Sequence, residues 1–283
     1  MQNTTKGSQQ DPQQQPQHDP QHDPQHDPRQ DTQNAGANDT TPGCRRRVAI
    51  VTGGSRGLGA ALAADLAHDG WTVVIDGRDA AVLSATAAQI RSTVAAPRVI
   101  DIAGDIADPA HRAELVRRAR AAGSLELLIN NASVLGPSPL PALAHHPLDA
   151  LTRVYDVNVI APVGLIQLAL DDLREHHGAV VNVSSDAAVE GYEGWGGYGS
   201  SKAALDQVSN VLAAEQPELR IYAFDPGDMR TTMHQEAFPG EDISDRPEPE
   251  TVVPAVRLLL ATSPPSGRYR RSDVAIDAVA VSS

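Results

Sequence analysis

From residue 48 onward, short runs of β-branched and aliphatic residues alternate with longer stretches in which apolar positions return every three or four residues. The short runs predict strands at 48–51, 72–75, 98–102, 125–129, 179–183 and 220–224, with a weaker seventh near 273–276. The longer stretches predict helices at 58–68, 80–92, 109–121, 147–175, 195–214 and 254–261. The punctuation agrees: Gly70 closes the first helix, and Asp108 followed by Pro109 supplies an N-cap with proline at the first helical position. Strands that alternate with crossover helices build a parallel sheet. The expected fold is α/β, a Rossmann-like doubly wound parallel sheet of about seven strands with helices on both faces and a ligand site at the strands' carboxyl ends.

Residues 1–43 break the pattern. They are rich in Gln, Asp, Pro and His, with a Gln-His-Asp-Pro repeat from Gln17 to Pro28 and no recurring apolar position. Proline at every fourth residue forbids a helix, and nothing apolar offsets the entropy of ordering, so a disordered tail is expected. His18, His22 and His26 beside Asp19, Asp23 and Asp27 allow weak transition-metal binding, but the composition reads first as a solvating leader. Residues 44–283 are expected to form one domain. A net charge of −13 without a clustered basic face argues against nucleic acid. Arg45 to Arg47 lead directly into the first strand and read as its solvated entrance. No run nears the roughly eighteen uninterrupted apolar residues of a membrane span, and no apolar leader opens the chain. Cys44 is the only cysteine, which excludes an intramolecular disulfide and fits a reducing, cytoplasmic setting.

Two features carry chemistry. The first strand runs into Thr52, Gly53, Gly54, Ser55, Arg56, Gly57, Leu58 and Gly59 and then a helix. Glycines there let the backbone turn sharply toward a pyrophosphate, which the first amides of the helix would hold. The bland alternative is a tight turn. The second feature is Lys202, the only lysine after Lys6, placed four residues after Tyr198 in a segment predicted helical. That spacing sets the phenol and the ammonium on one helix face, and a nearby cation is expected to draw a phenol pKa of about 10 toward neutrality. Pairs of this kind also occur on helix surfaces with no function.

Together these residues resemble the short-chain dehydrogenase/reductase family, single-domain type, from about Arg47 to the end of the chain. The glycine pattern is TGxxxGxG. Asn130, Asn131 and Ala132 follow the fourth strand, Asn158 lies in the long helix, Ser185 precedes Tyr198 by thirteen residues, and Pro226 with Gly227 follows the sixth strand. The resemblance implies an NADP(H)-dependent oxidoreductase that moves a hydride between a nicotinamide and a carbonyl or alcohol carbon. In that scheme Tyr198 passes the proton, Lys202 bonds the nicotinamide ribose, Ser185 polarises the carbonyl and Asn158 anchors a water. It also implies cofactor contacts from the glycine loop, Asp105, Ile106, Asn131, Ala132, Met229 and Thr231, and a homodimer or homotetramer formed through the two long helices; Asp105 reads nearly as well as a capping residue ahead of Asp108. Where the family commonly carries glycine after Asn-Asn-Ala, this chain has Ser133, whose β-carbon narrows the nicotinamide pocket or shifts the backbone; adjustment of the other loops is expected to accommodate it.

The choice of cofactor turns on the end of the second strand. A carboxylate there holds the ribose 2′-hydroxyl of NAD, and by alignment of the strand that position is Gly77. Arg78, with Arg56, is placed to clamp a 2′-phosphate, so NADP is expected, while Asp76 one residue earlier keeps NAD open. Residues 134–146, 186–197 and 228–249 are expected to line the substrate pocket, the last as a mobile lid. Leu135, Tyr192, Trp195, Met229 and Met233 read equally as pocket lining or core. His145, His146 and His234 lack metal-ligand spacing and read as loop residues. A non-catalytic dinucleotide sensor on the same fold and a sugar-nucleotide isomerase remain as alternatives.

Overall fold

A computed structural model describes residues 46–94 and 98–274; the expected tail, residues 1–43, lies outside them. Seven strands form one parallel sheet: β1 (Arg47–Val51), β2 (Thr72–Gly77), β3 (Arg98–Ala103), β4 (Ser124–Asn130), β5 (Ala179–Val183), β6 (Arg220–Asp225) and β7 (Gly267–Arg270). Their order is β3-β2-β1-β4-β5-β6-β7, so the winding reverses between β1 and β4. A crevice opens there beyond the carboxyl ends of the two strands.

Alternation along β1 sorts the core into two layers. Ala49 and Val51 face α1 (Gly57–His68) and α2 (Ala80–Thr93), while Val48 and Ile50 face α3 (Pro109–Ala122). Leu127 joins the first layer and Leu128 the second, both essentially fully buried. Each such side chain contributes about 1.5–3 kcal/mol through removal from water. Capped helices bound the layers: Asp108 accepts from the amide of Ala110, as its place before Pro109 predicts, and Asp79, which sequence reasoning did not single out, accepts from the amides of Ala81 and Val82.

Three elements differ from the expectation. The long helix is α4 (Leu148–Tyr155), a widened π-type turn (Asp156–Ile160) and α5 (Ala161–Glu175). Pro162 has no N–H to give to the carbonyl four residues back, that of Asn158, and the turn widens so that the Ala161 amide bonds Asp156 instead. The run Leu148–Glu175 is long and apolar enough to cross a membrane by length and composition alone. Its residues Leu165, Ile166, Ala169 and Leu173 are nevertheless buried in the second core layer.

The seventh strand is Gly267–Arg270, not 273–276. Prolines 264 and 265 follow α8 (Val253–Thr262), and the Ser266 hydroxyl accepts the Ile221 amide, which sets Gly267 beside Tyr222. A polar strand such as Gly-Arg-Tyr-Arg carries no aliphatic signal. Residues 271–274 are helical, and residues 275 and 276 lie outside the described part. Finally, α6 (Gly196–Glu215) matches expectation, but the lid region contains an unexpected α7 (Thr232–Ala237), capped by Thr231 Oγ1 accepting from the His234 amide at 3.1 Å.

A buried polar thread ties β4, β5 and α6. Asn130 Nδ2 donates to Asn182 Oδ1, and Asn182 Nδ2 donates to Ser209 Oγ, each at 2.8 Å. Truncating the middle member strands the other two without water. Asn182→Ala is expected to lower unfolding free energy by about 2–3 kcal/mol, measured by urea denaturation, with the transition still cooperative.

Candidate active site

A cleft of about 720 Å³ opens at the carboxyl ends of the strands. At its floor the chain turns from β1 into α1. Gly53 adopts left-handed backbone (φ 67°), and a Cβ on Gly59 would stand 2.3 Å from the Gly53 carbonyl oxygen and 2.5 Å from Asn131 Nδ2. Only glycine permits that approach. The Arg56 N-cap makes no side-chain hydrogen bond to the first turn of α1, so those amides are left for a ligand in the cleft. A turn of this shape, with free donors at a positive helix end, fits a pyrophosphate.

The turn is stitched to the loop after β4. Thr52 Oγ1 accepts the amides of Asn131 and Ala132, each at 3.0 Å, and Asn131 Nδ2 donates to the Thr52 carbonyl at 2.8 Å. Thr52 and Gly59 therefore hold the wall from behind. The other predicted cofactor residues line the cleft itself: Gly53, Ser55, Arg56, Gly57, Leu58, Arg78, Asp105, Ile106, Asn131, Ala132, Pro226, Gly227, Met229 and Thr231. Sequence reasoning missed Arg153 of α4, which also faces the cleft and donates from Nη2 to Asp105 Oδ2 at 2.5 Å. Burial raises the Asp105 pKa, but the Ala107 amide and Arg153 outweigh it and hold the carboxyl below its ordinary range. Capping of α3 falls to Asp108, not to Asp105.

A side chain at position 77, at the end of β2, would crowd Ser55. A Cβ on Gly77 would stand 3.0 Å from both Cβ and Oγ of Ser55. Asp76, one residue earlier, has both oxygens engaged: Oδ1 accepts the Gly53 amide at 2.7 Å, and Oδ2 meets His111 Nε2 at 3.0 Å.

At the far end of the cleft Ser185, Tyr198 and Lys202 converge. Tyr198 is 8% exposed, and the hydroxyls of Ser185 and Ser133 lie beside its own. Lys202 is 1% exposed; its Nζ donates to the Val183 carbonyl at 2.7 Å and stands 5.5 Å from the centre of the Tyr198 ring. The electrostatics correct one expectation. Burial raises the Tyr198 pKa above its ordinary value, against the opposite pull of the neighbouring Ser185 and Ser133 hydroxyls, and the carboxylates of Asp186 and Asp225 raise it further. The ammonium turns to a carbonyl instead of the phenol, and burial lowers its own pKa to about 8, with Asp206 pulling the other way.

Asn158 lies beneath the surface and does not line the cleft. Its Oδ1 accepts from Ser133 Oγ (3.1 Å) and the Val134 amide (2.9 Å), and its Nδ2 donates to the Val134 carbonyl and Ser201 Oγ, each at 3.0 Å. Ser133 is thus a second hydroxyl at the phenol, a place that sequence reading marked only as a steric departure. Asp186 was also missed; it accepts from Ser185 Oγ at 2.9 Å. Leu135, Trp195 and Met233 pack together against Tyr198 and line the cleft, so they serve as both lining and core. Tyr192 does not line it: its hydroxyl turns outward to Asp186 and Glu190. His146 is buried against Gly136 and Gly197 instead of in a solvated loop. A second cleft of about 860 Å³ shares Asp186 and residues 225–228 but has neither the glycine turn nor Tyr198.

A doubly wound sheet with a glycine turn at its switch point and a Ser, Tyr and Lys set beyond it defines a dinucleotide-dependent oxidoreductase. The family profile described as short chain dehydrogenase matches residues 47–242. An uncharacterized oxidoreductase of Mycobacterium tuberculosis is 36% identical over 190 residues, 66% of this chain and 70% of that protein. Sepiapterin reductase of Mus musculus is 32% identical over 199 residues, 66% of this chain and 76% of that enzyme. Among solved structures, a short chain dehydrogenase from Escherichia coli CFT073 complexed with NADPH aligns with a TM-score of 0.74 at 28% identity, covering 80% of this chain and 96% of the other. The chain belongs to the short-chain dehydrogenase/reductase family and is an NAD(P)-dependent enzyme.

Burying the Lys202 ammonium has a thermodynamic signature. Its folded pKa of about 8 lies below its ordinary 10.5, so the folded state is penalised below pH 8 and relieved progressively between pH 8 and 10.5. Lys202→Met is expected to be more stable than wild type near pH 7 by on the order of 2 kcal/mol. Urea denaturation at several pH values should show the difference shrink across that window.

Proposed function

We propose that the protein is an NADP(H)-dependent carbonyl reductase, the same chemistry running in reverse as an alcohol dehydrogenase, with Tyr198 as proton donor. The observation that carries this reading is the convergence of Tyr198, Ser185 and Lys202 on one end of the cleft whose other end is the glycine turn. The bound nicotinamide supplies the hydride. Ser185 is placed to donate to the carbonyl oxygen; in the structure its proton goes to Asp186 Oδ1, a bond it must exchange for the substrate. A phenol whose pKa is raised by burial keeps its proton at neutral pH, which suits donation to a developing alkoxide more than abstraction from an alcohol. Lys202 uses one of its three N–H donors on Val183 and retains two for a ribose in the cleft.

Preference for NADP(H) is supported by Arg56 and Arg78 in the cleft wall, by the absence of a carboxylate at Gly77, and by the engagement of both Asp76 oxygens. Likeness to a sepiapterin reductase supports a small carbonyl substrate. The catalytic domain in this reading runs from residue 44 onward, in the cytoplasm. Assembly as a dimer or tetramer is supported by the exposed Leu148, Ile160, Leu168 and Val211 on α4, the widened turn, α5 and α6.

Tyr198→Phe is expected to bind NADPH as wild type does while losing about 10²-fold or more in kcat across a panel of ketones and aldehydes followed at 340 nm. In the same assay NADPH should exceed NADH in kcat/KM; equal efficiency overturns the cofactor assignment. Light scattering should give the mass of two or four chains, and a monomer would refute the assembly.

A further inference from the structure

We propose that His111, on α3 outside the cleft, is a specificity-determining residue: by holding Asp76 it keeps a carboxylate away from the cofactor ribose and so preserves preference for the 2′-phosphate. The inference rests on the NADP(H) reading above and names the residue that maintains it.

Asp76 is the last acidic group of β2 before Gly77, and it belongs to the cleft wall beside Gly77 and Arg78. A carboxylate in that neighbourhood with a free oxygen accepts hydrogen bonds from ribose hydroxyls and repels a phosphate at the 2′ position. Here neither oxygen is free. Oδ1 takes the Gly53 amide and Oδ2 takes His111 Nε2, and Asp76 is left 2% exposed. The bond requires the tautomer with hydrogen on Nε2, which a carboxylate partner selects.

The surroundings are shaped for this contact. A Cβ on Gly104 would stand 2.2 Å from His111 Nδ1 and 2.5 Å from Cε1, so the absence of a side chain there is what admits the imidazole. The Gly104 amide in turn donates to the Gly77 carbonyl at 3.0 Å, keeping the loop after β3 against the end of β2. One short path therefore runs from α3 through His111 and Asp76 to the amide of the left-handed Gly53. Because Gly53 secures only one oxygen, loss of His111 leaves the other unpaired in a buried wall. Asp76 belongs to the cleft wall, so a released carboxylate is free to turn toward a ribose bound there.

The test is binding, independent of any substrate: dissociation constants for NADPH and NADH, and for adenosine 2′,5′-bisphosphate and AMP, by titration calorimetry. Wild type should favour the 2′-phosphorylated ligand of each pair. His111→Leu is expected to shrink that preference by about tenfold, a change comparable to one hydrogen bond to a charged group. His111→Gln, which returns an N–H near the Nε2 position, should largely restore it. Adding Asp76→Asn to His111→Leu should restore it too, since the carboxamide still accepts from Gly53 but carries no charge. Equal weakening of both ligands in His111→Leu, or an unchanged ratio, overturns the proposal. Should His111→Leu fail to fold, Asp76→Asn alone decides: the preference must persist or grow, and its loss refutes the mechanism. Wild type that binds neither dinucleotide, or prefers NADH, overturns the cofactor reading itself, an outcome distinct from unresponsive variants.

Discussion

Two peptide amides from the loop after β4 converge on one hydroxyl at the end of β1, and the rest of the site is built outward from that junction. Thr52 Oγ1 receives Asn131 and Ala132, and Asn131 returns its side-chain amide to the Thr52 carbonyl. The two strands lie side by side at the point where the sheet reverses its winding, so their loops would otherwise diverge. Fastened together, one loop presents the glycine turn and the other presents Ser133 to the phenol. Asn158 then carries the same fastening to α6 through Ser201, whose hydroxyl donates to the Tyr198 carbonyl at 2.6 Å. Cradle and reaction centre share one hydrogen-bonded frame.

That frame holds groups which burial disfavours. An ammonium at 1% exposure and a phenol at 8% are costly among apolar neighbours, and the directions of their pKa displacements express this. The core on both faces of the sheet supplies the stability that tolerates them. Trp195 meets the Tyr198 ring edge-on with centroids 5.7 Å apart, a contact that favours the observed orientation of the phenol.

Much of this was legible in the chain, because some positions carry their physics locally. The limits of β5 coincide with its aliphatic run, Asp108 caps where its place before Pro109 predicts, and a lysine standing alone among arginines marks the site. What escaped depends on partners distant in sequence. Nothing near His111 announces a bond to a residue 35 positions earlier, and nothing near Arg153 announces Asp105, 48 positions away. The polar β7 escaped because its reason for pairing lies in what Arg268 reaches, not in its own hydropathy. The direction of the Tyr198 displacement was missed because sequence gives the spacing of a cation but not the depth at which both groups are buried. Pro162 was visible, but its effect on the turn before it appears only once the helix is built.

Arg268 donates to the Ser185 carbonyl and to Asp225 Oδ2, both at 2.9 Å, and to Asp206 Oδ2 at 3.0 Å. The serine loop thus leans on a guanidinium made 83 residues later. Because that brace comes from the last strand of the sheet, the setting of the serine loop depends on β7 being paired with β6.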